Sequence, residues 1–459
     1  METVLSNKKL NVFEKFTQFC VTIMQKYLPD AFLFAAVLTF IVFIATMVTT
    51  NQSPFQVATH WGNGVWSLLS FSMQMVMVLV TGHTLATAPF FKRLLDKLSY
   101  LPKTPIQAII YVTLVSSIAC LLNWGFGLVI GAIYAKEIAK KLKGVDYRLL
   151  IASAYSGFLF WHAGISASIP LTLASGNLSK STGGALNEAI STSETIFSSF
   201  NLIILAILLI TLPLLNAAMH PKNKEDIFEI DIKLLKDDGA ITTPKNEMTP
   251  ADKIENSPIV NMLIGLIGYT YIIGFFLKNG FDLNLNIVNL IFLITAIVAH
   301  RTPKNLLGAF SGACRGASGI ILQFPFYAGI MGMMTGLNAE GTSLAILMSN
   351  AFISSSTALS FPSLTFLSAG IVNFFVPSGG GQWAVQAPIM MPASIELGVS
   401  SAKTGMAIAW GDAWTNMIQP FWALPALGIA KLGAKDIMGY GVVITIYSAI
   451  VIILGLTFL

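Results

Sequence analysis

Three stretches hold the residues whose types and spacing could do chemistry. The first is Asn373 followed by Pro377-Ser378-Gly379-Gly380-Gly381-Gln382, inside a block from Gly341 to Ile395 that carries no Asp, Glu, Lys or Arg. Consecutive glycines can hold backbone N–H groups close together. A helix starting near Gln382 would aim its positive dipole end at the same place, an arrangement suited to a carboxylate. Ser378 and Gln382 would add side-chain donors. The competing reading is that the glycines only let helices pack closely, as is common in membranes.

The second stretch is Gly411-Asp412-Ala413-Trp414-Thr415-Asn416, in which Asp412 is the sole acid between Leu397 and Ala434. A charge at the bilayer centre costs about 2.5 kcal/mol or more, which makes an intramembrane carboxylate a functional candidate by default. Asp412 is expected to carry the coupling ion, a proton or a Na⁺ beside it. Its alternative role is structural, as partner of Arg315, the one charge between Asn305 and Leu337. Arg315 could instead snorkel to the surface.

The third stretch runs from Trp161-His162 to Ser166-Ala167-Ser168, and His162 stands 250 residues before Asp412. A histidine there could carry a proton, or pack as a hydrogen-bonding residue beside Trp161. Asn123, Ser166, Ser168, Thr415 and Asn416 suit the lining of a polar pocket, although Ser and Thr also cap broken helices.

The elements that must position these residues are membrane spans. With 54% hydrophobic and 11% charged residues over 459 positions and a mean hydropathy of +0.72, the chain is far poorer in charge than a soluble domain at about 25%. The fold class is an all-α polytopic membrane protein. Cys20, Cys120 and Cys314 are widely spaced and form no metal or disulfide pattern. The net charge of +5 needs no nucleic acid, because the basic residues fall at span ends where the positive-inside rule puts them.

Residues 1–27 read as a cytoplasmic lead-in with no removable signal. Residues 28–219 form a first transmembrane repeat, with spans at Leu28–Thr50, Trp66–Phe91, Pro105–Ala135, Leu149–Ala174 and Thr195–Met219. Asn51–Val65 is expected to be an outside loop. Pro105–Ala135 is too long for one upright helix and reads as helix, break at Asn123, helix. Residues 220–256 hold the long mixed charge run and read as a cytoplasmic linker.

A second repeat, 257–459, follows the same order: Ser257–Leu277, Leu283–His300, Asn305–Leu337, Thr342–Val372, Gln382–Ile395, Thr404–Leu427 and Ile437–Leu459. Asn373 falls 250 residues after Asn123, and Pro420 falls 250 after Pro170. Order, not identity, carries the repeat. Threading the lysines through it makes the two copies inverted, the usual build of secondary transporters with broken helices and re-entrant hairpins.

Leu322-Gln323-Phe324-Pro325-Phe326-Tyr327-Ala328-Gly329-Ile330-Met331-Gly332, the Pro377–Trp383 element and the Gly411–Asn416 element resemble those of bacterial short-chain fatty acid (acetoacetate and butyrate) transporters of the AtoE type. The likeness covers nearly the whole chain. The last two elements are also similar to those of C4-dicarboxylate and p-aminobenzoyl-glutamate carriers in the wider ion transporter superfamily. The resemblance implies an inner-membrane carrier of small monocarboxylates, coupled to H⁺ or Na⁺, with no organic cofactor. The expected partners are a small carboxylate and membrane lipid, and a homodimer stays open. The alternatives are a dicarboxylate or amino-acid-derivative carrier, a channel, and, from another class, an intramembrane hydrolase using His162 and Asp412.

Overall fold

The computed structural model describes residues 31–176, 178–235, 248–281, 283–373, 376–419 and 422–459. The expected lead-in at 1–27 and the middle of the linker lie outside the described residues. In chain order the helices of the first half are α1 (Ala31–Thr50), α2 (Pro54–Gly64), α3 (Leu69–Ala86), α4 (Pro89–Leu98), α5 (Pro105–Leu122), α6 (Trp124–Ala139), α7 (Tyr147–Ser156), α8 (Ser168–Ala174) and α9 (Ser199–Ala218). A 3₁₀ turn, Gly157–Ala163, follows α7. The linker carries α10 (Pro250–Glu255).

The second half holds α11 (Ile259–Asn279), α12 (Leu285–His300), α13 (Pro303–Cys314), α14 (Ser318–Thr335), α15 (Leu344–Ser355), α16 (Phe361–Asn373), α17 (Gly379–Glu396), α18 (Ser401–Thr415), α19 (Leu424–Ala430) and α20 (Ala434–Phe458). Among the described residues there is no strand, and seven helical segments are long and apolar enough to cross a membrane.

Four expectations need correction. Asn51–Val65 is no loop: Ser53 and Gln56 form a reciprocal cap with Pro54 in the first turn, and α2 follows. Gly64 then lies against the backbone of Ala328 and Gly332 on α14, where a side chain would not fit. Asn305–Leu337 divides at a 3₁₀ turn, Arg315–Ala317. Thr342–Val372 divides because the Ser354 and Ser355 hydroxyls donate back to the Ala351 carbonyl, while Thr357 and Ser360 bond each other in a local turn. Thr404–Leu427 divides after Thr415, where a 3₁₀ turn Asn416–Ile418 begins.

Helix ends recur at a fixed spacing. Thr50 and His300, Gly64 and Cys314, Ala86 and Thr335, and Leu122 and Asn373 lie 250, 250, 249 and 251 residues apart. These four spacings agree to within one residue of 250.

One face gathers the basic residues. Lys141 Nζ donates to Asp96 Oδ1 and Ser99 Oγ, both at 2.6 Å, and sits 3.6 Å from the centre of the Tyr100 ring. The linker joins the same face, since Phe228 N–H donates to Asp146 Oδ2 at 2.9 Å and Tyr147 N–H to Phe228 O at 2.8 Å. Arg148 lies over the Phe228 ring and reaches Asp436 at 3.5 Å. Helix α5 starts and α6 ends here, so the two form a hairpin based on this face. Helix α9 also ends here, where Asp146 N–H donates to His220 Nε2. At the opposite end of α9, Lys403 lies 5.9 Å from the Phe200 ring, which places the base between α17 and α18 there.

Cysteines replacing Asp96 and Lys141 should cross-link efficiently with a short bis-maleimide in intact membranes, read as a mobility shift after cleavage between the positions. Absence of the product would mean that the ends of α4 and α6 do not share a face.

Candidate functional site

Each hairpin tip is a place where the backbone leaves its helix inside an apolar environment, so its freed polar groups need partners. At the first tip Asn123 supplies them. Its Oδ1 accepts from Phe126 N–H at 2.9 Å and its Nδ2 donates to Val78 O at 3.3 Å. Ser166 Oγ accepts from Trp124 N–H at 3.1 Å, and Ile165 N–H donates to Leu121 O. Gly82 on α3 makes room for Asn123, whose side chain occupies the space a Cβ would need.

At the second tip Asn373, fully buried at the end of α16, donates through Nδ2 to Asp412 O at 3.1 Å, Thr415 Oγ1 at 2.9 Å and Asn416 Oδ1 at 2.9 Å. Thr415 Oγ1 donates to Gly370 O at 3.0 Å. Gly411 allows this contact, since a Cβ there would press on Phe366 O and Ala369. Helix α18 is thus laid along α16 by its own polar residues.

The two tips meet at His162 and Asp412. His162 Nε2 stands 3.3 Å from Asp412 Oδ2, with both side chains fully buried. Asn416 Nδ2 donates to Asp412 Oδ1 at 3.1 Å. The His162 ring lies against Trp161, with centroids 3.5 Å apart, and Trp161 stacks on Phe158. Trp124 packs edge-on to both Trp161 and Trp422, and Trp422 Nε1 donates to Pro377 O at 2.7 Å. Tyr155 O–H donates to Asn416 O at 2.6 Å.

Gly379, Gly380 and Gly381 form the first turn of α17, so the helix starts earlier than expected. A Cβ on Gly379 would sit 2.5 Å from His162 Nε2 and 2.9 Å from the Trp161 ring. On Gly380 it would meet Phe71, and on Gly381 Tyr327. The glycines serve both readings, opening a helix N-terminus and permitting close approach.

Three sequence expectations change. Gln382 is spent as a donor, because its Nε2 already bonds Ala369 O at 2.8 Å and Gln386 Oε1 at 2.9 Å. Ser378 precedes α17 without a side-chain cap bond. Arg315 is exposed in its 3₁₀ turn, and the titratable side chain beside Asp412 is His162 instead. Ser168 is buried at the start of α8. Sequence reasoning missed Tyr155, Trp422 and Gln419, whose Nε2 donates to Asn373 O at 3.3 Å. Tyr155 precedes His162 by seven residues, a two-turn spacing that could have flagged it.

Several buried polar atoms around the tips have no hydrogen-bond partner among the described residues: His162 Nδ1, Asn373 Oδ1, Gln382 Oε1, Gln419 Oε1, Trp124 Nε1 and Trp161 Nε1. A burial this complete normally leaves few such groups. The three oxygens are of the type hard cations prefer, and the N–H groups are donors to an anion.

Residues 12–459 match the family described as "Short chain fatty acid transporter". A protein of Haemophilus influenzae, provisionally named a short-chain fatty acid transporter, is 45% identical over 456 residues, covering 98% of this chain and all of that one. An Escherichia coli protein with the same provisional name is 42% identical over 446 residues, covering 96% and 99%. Among solved structures the chain is similar to the YdaH transporter of Alcanivorax borkumensis, at TM-score 0.54, 14% identity and 96% coverage of both chains. It is also similar to MtrF of Neisseria gonorrhoeae, assigned to a class of antimetabolite efflux pumps, at TM-score 0.53, 13% identity and coverage of 96% and 97%. At these identities the last two show a shared fold.

Gly379→Ala should displace the His162 ring and lower transport at least tenfold while the protein stays in the membrane at normal level, checked by immunoblot beside uptake. Wild-type uptake by this variant would show that the tip has slack that the geometry denies.

Proposed function

We propose a mechanism for a chain that belongs to the short chain fatty acid transporter family: secondary active transport of small monocarboxylates such as acetoacetate or butyrate, coupled to Na⁺ or H⁺ at Asp412. The observation that carries it is the buried contact between His162 and Asp412, one residue from each half, at the meeting of two hairpin tips.

Substrate and ion bind on opposite sides of this contact. The N-terminus of α6 is capped by Asn123, whereas that of α17 lacks a side-chain cap from Ser378. The first-turn N–H groups of Gly379–Gly381 therefore suit a carboxylate, with the helix dipole behind them. The indole N–H groups of Trp124 and Trp161 are further donors beside an apolar wall of rings. Asp412, with the unpartnered oxygens of Asn373 and Gln419, suits Na⁺, and the His162–Asp412 contact suits a proton. A cation at Asp412 neutralises a charge that is costly to bury alone. It also favours an anion at the adjacent tip. Coupling follows from that mutual attraction.

The positive-inside rule puts the lysine-rich face in the cytoplasm, with the N-terminus, in a bacterial inner membrane. A second hairpin based at the far end of α9 would bring the two halves in from opposite sides, the arrangement of inverted repeats. A dicarboxylate would want a second cationic contact, and the exposed position of Arg315 speaks against that carrier. The homologues and the family are transporters, not enzymes, which answers the hydrolase alternative.

Proteoliposomes given labelled acetate, butyrate, acetoacetate or succinate under an imposed Na⁺ or pH gradient should accumulate the monocarboxylates above succinate. Asp412→Asn should abolish accumulation while leaving counterflow exchange. Gradient-driven accumulation by Asp412→Asn would overturn the coupling role, and preference for succinate would overturn the substrate class.

A further inference from the structure

On the basic face a cavity of about 350 Å³ opens between α3, α6 and α19. Its rim carries the ammonium groups of Lys92 and Lys431, Lys136 lines it as well, and its apolar wall includes Val129, Ile133 and Ile429. Glu137 also lines it, but that carboxylate is held by Lys140 at 2.6 Å, so Lys92 and Lys431 give the rim its cationic character. Leu234 from the linker also lines it.

Two helices connect this cavity to the tips. Helix α6 begins at Trp124, and Val129, Ile133 and Lys136 follow on one stripe at intervals of four and three residues. Val129 is five residues from Trp124, hence about 7.5 Å along the axis. Helix α19 begins just after Trp422, which is bonded to Pro377 O, and its seven residues, about 10 Å long, end at Ala430 with Lys431 as the cap. Lys431 adopts φ 57°, ψ 37°, a left-handed C-cap conformation usually filled by glycine. A lysine stands where the backbone alone would favour Gly, and it lines the cavity.

We propose that this cavity is a second anion site, a vestibule that receives a small carboxylate on the lysine-rich face and passes it to the hairpin tips. The inference rests on the carboxylate reading above. A narrow cleft with one sign of charge raises the local concentration of the opposite ion, so the vestibule sets apparent affinity on its own face only.

The test measures butyrate KM in inside-out and right-side-out vesicles. Lys431→Gln and Lys92→Gln should each raise KM roughly threefold or more at low ionic strength on the lysine-rich face, the loss expected from removing one of a few focusing charges. KM on the other face should not move, and Lys431→Arg should restore the wild-type value. Equal changes on both faces, or none, overturn the vestibule.

A second readout needs no transport. In a chain lacking its native cysteines, Cys replacing Lys431 should react faster with an anionic methanethiosulfonate than with a cationic one, and Lys92→Gln should reduce that preference. If wild-type vesicles move no short-chain carboxylate, the functional reading fails while this charge preference still supports an anion cavity. Loss of the preference overturns the cavity itself.

Discussion

The structure depends on one constraint: a backbone that leaves its helix where water is scarce must find every hydrogen bond inside the protein, at several kcal/mol per group left bare. Asn123 and Asn373 answer it at the two tips, in different ways. Asn123 caps the helix that follows the break. Asn373 reaches sideways, tying the end of α16 to Asp412, Thr415 and Asn416. Because both asparagines are short, their partners must come close, and this is why Gly82 and Gly411 stand where they do. The packing of α3 on the first tip and of α18 on the second follows from that.

The His162–Asp412 contact is better explained by function than by stability. Two titratable groups placed together without water are worth little net, because desolvating them offsets their attraction. A protein that needed only a stable core could fill this place with apolar side chains. The oxygens and indole N–H groups around the pair that have no partner among the described residues fit the ion and the carboxylate proposed above.

Much of this was legible in the sequence because charge is so sparse. An uncharged block broken by Pro377 and three glycines, and a lone Asp412, announce a polar site inside apolar helices. The break at Asn123 was visible for the same reason: 31 uncharged residues cannot form one upright span. Arg315 misled, because isolation in sequence does not separate a buried charge from one at the edge of a helical break. Asn51–Val65 misled because low hydropathy and missing lysines describe a short amphipathic helix as well as a loop. Gln382 needed coordinates, since its type allows donation in any direction and only the fold shows that Ala369 O and Gln386 take both N–H groups.

The meeting of His162 with Asp412 across 250 residues also bears on biogenesis. Synthesis from the N-terminus delivers the first half to the bilayer while the second is unmade, so the Trp161–His162 turn must wait, buried in a half-built bundle. Asp412 arrives last. As α18 enters, its carboxylate has a partner only if the earlier hairpin is already folded and turned the right way. A carboxylate that reaches hydrocarbon without its partner is costly, so the second half gains most from packing onto a first half that is already folded.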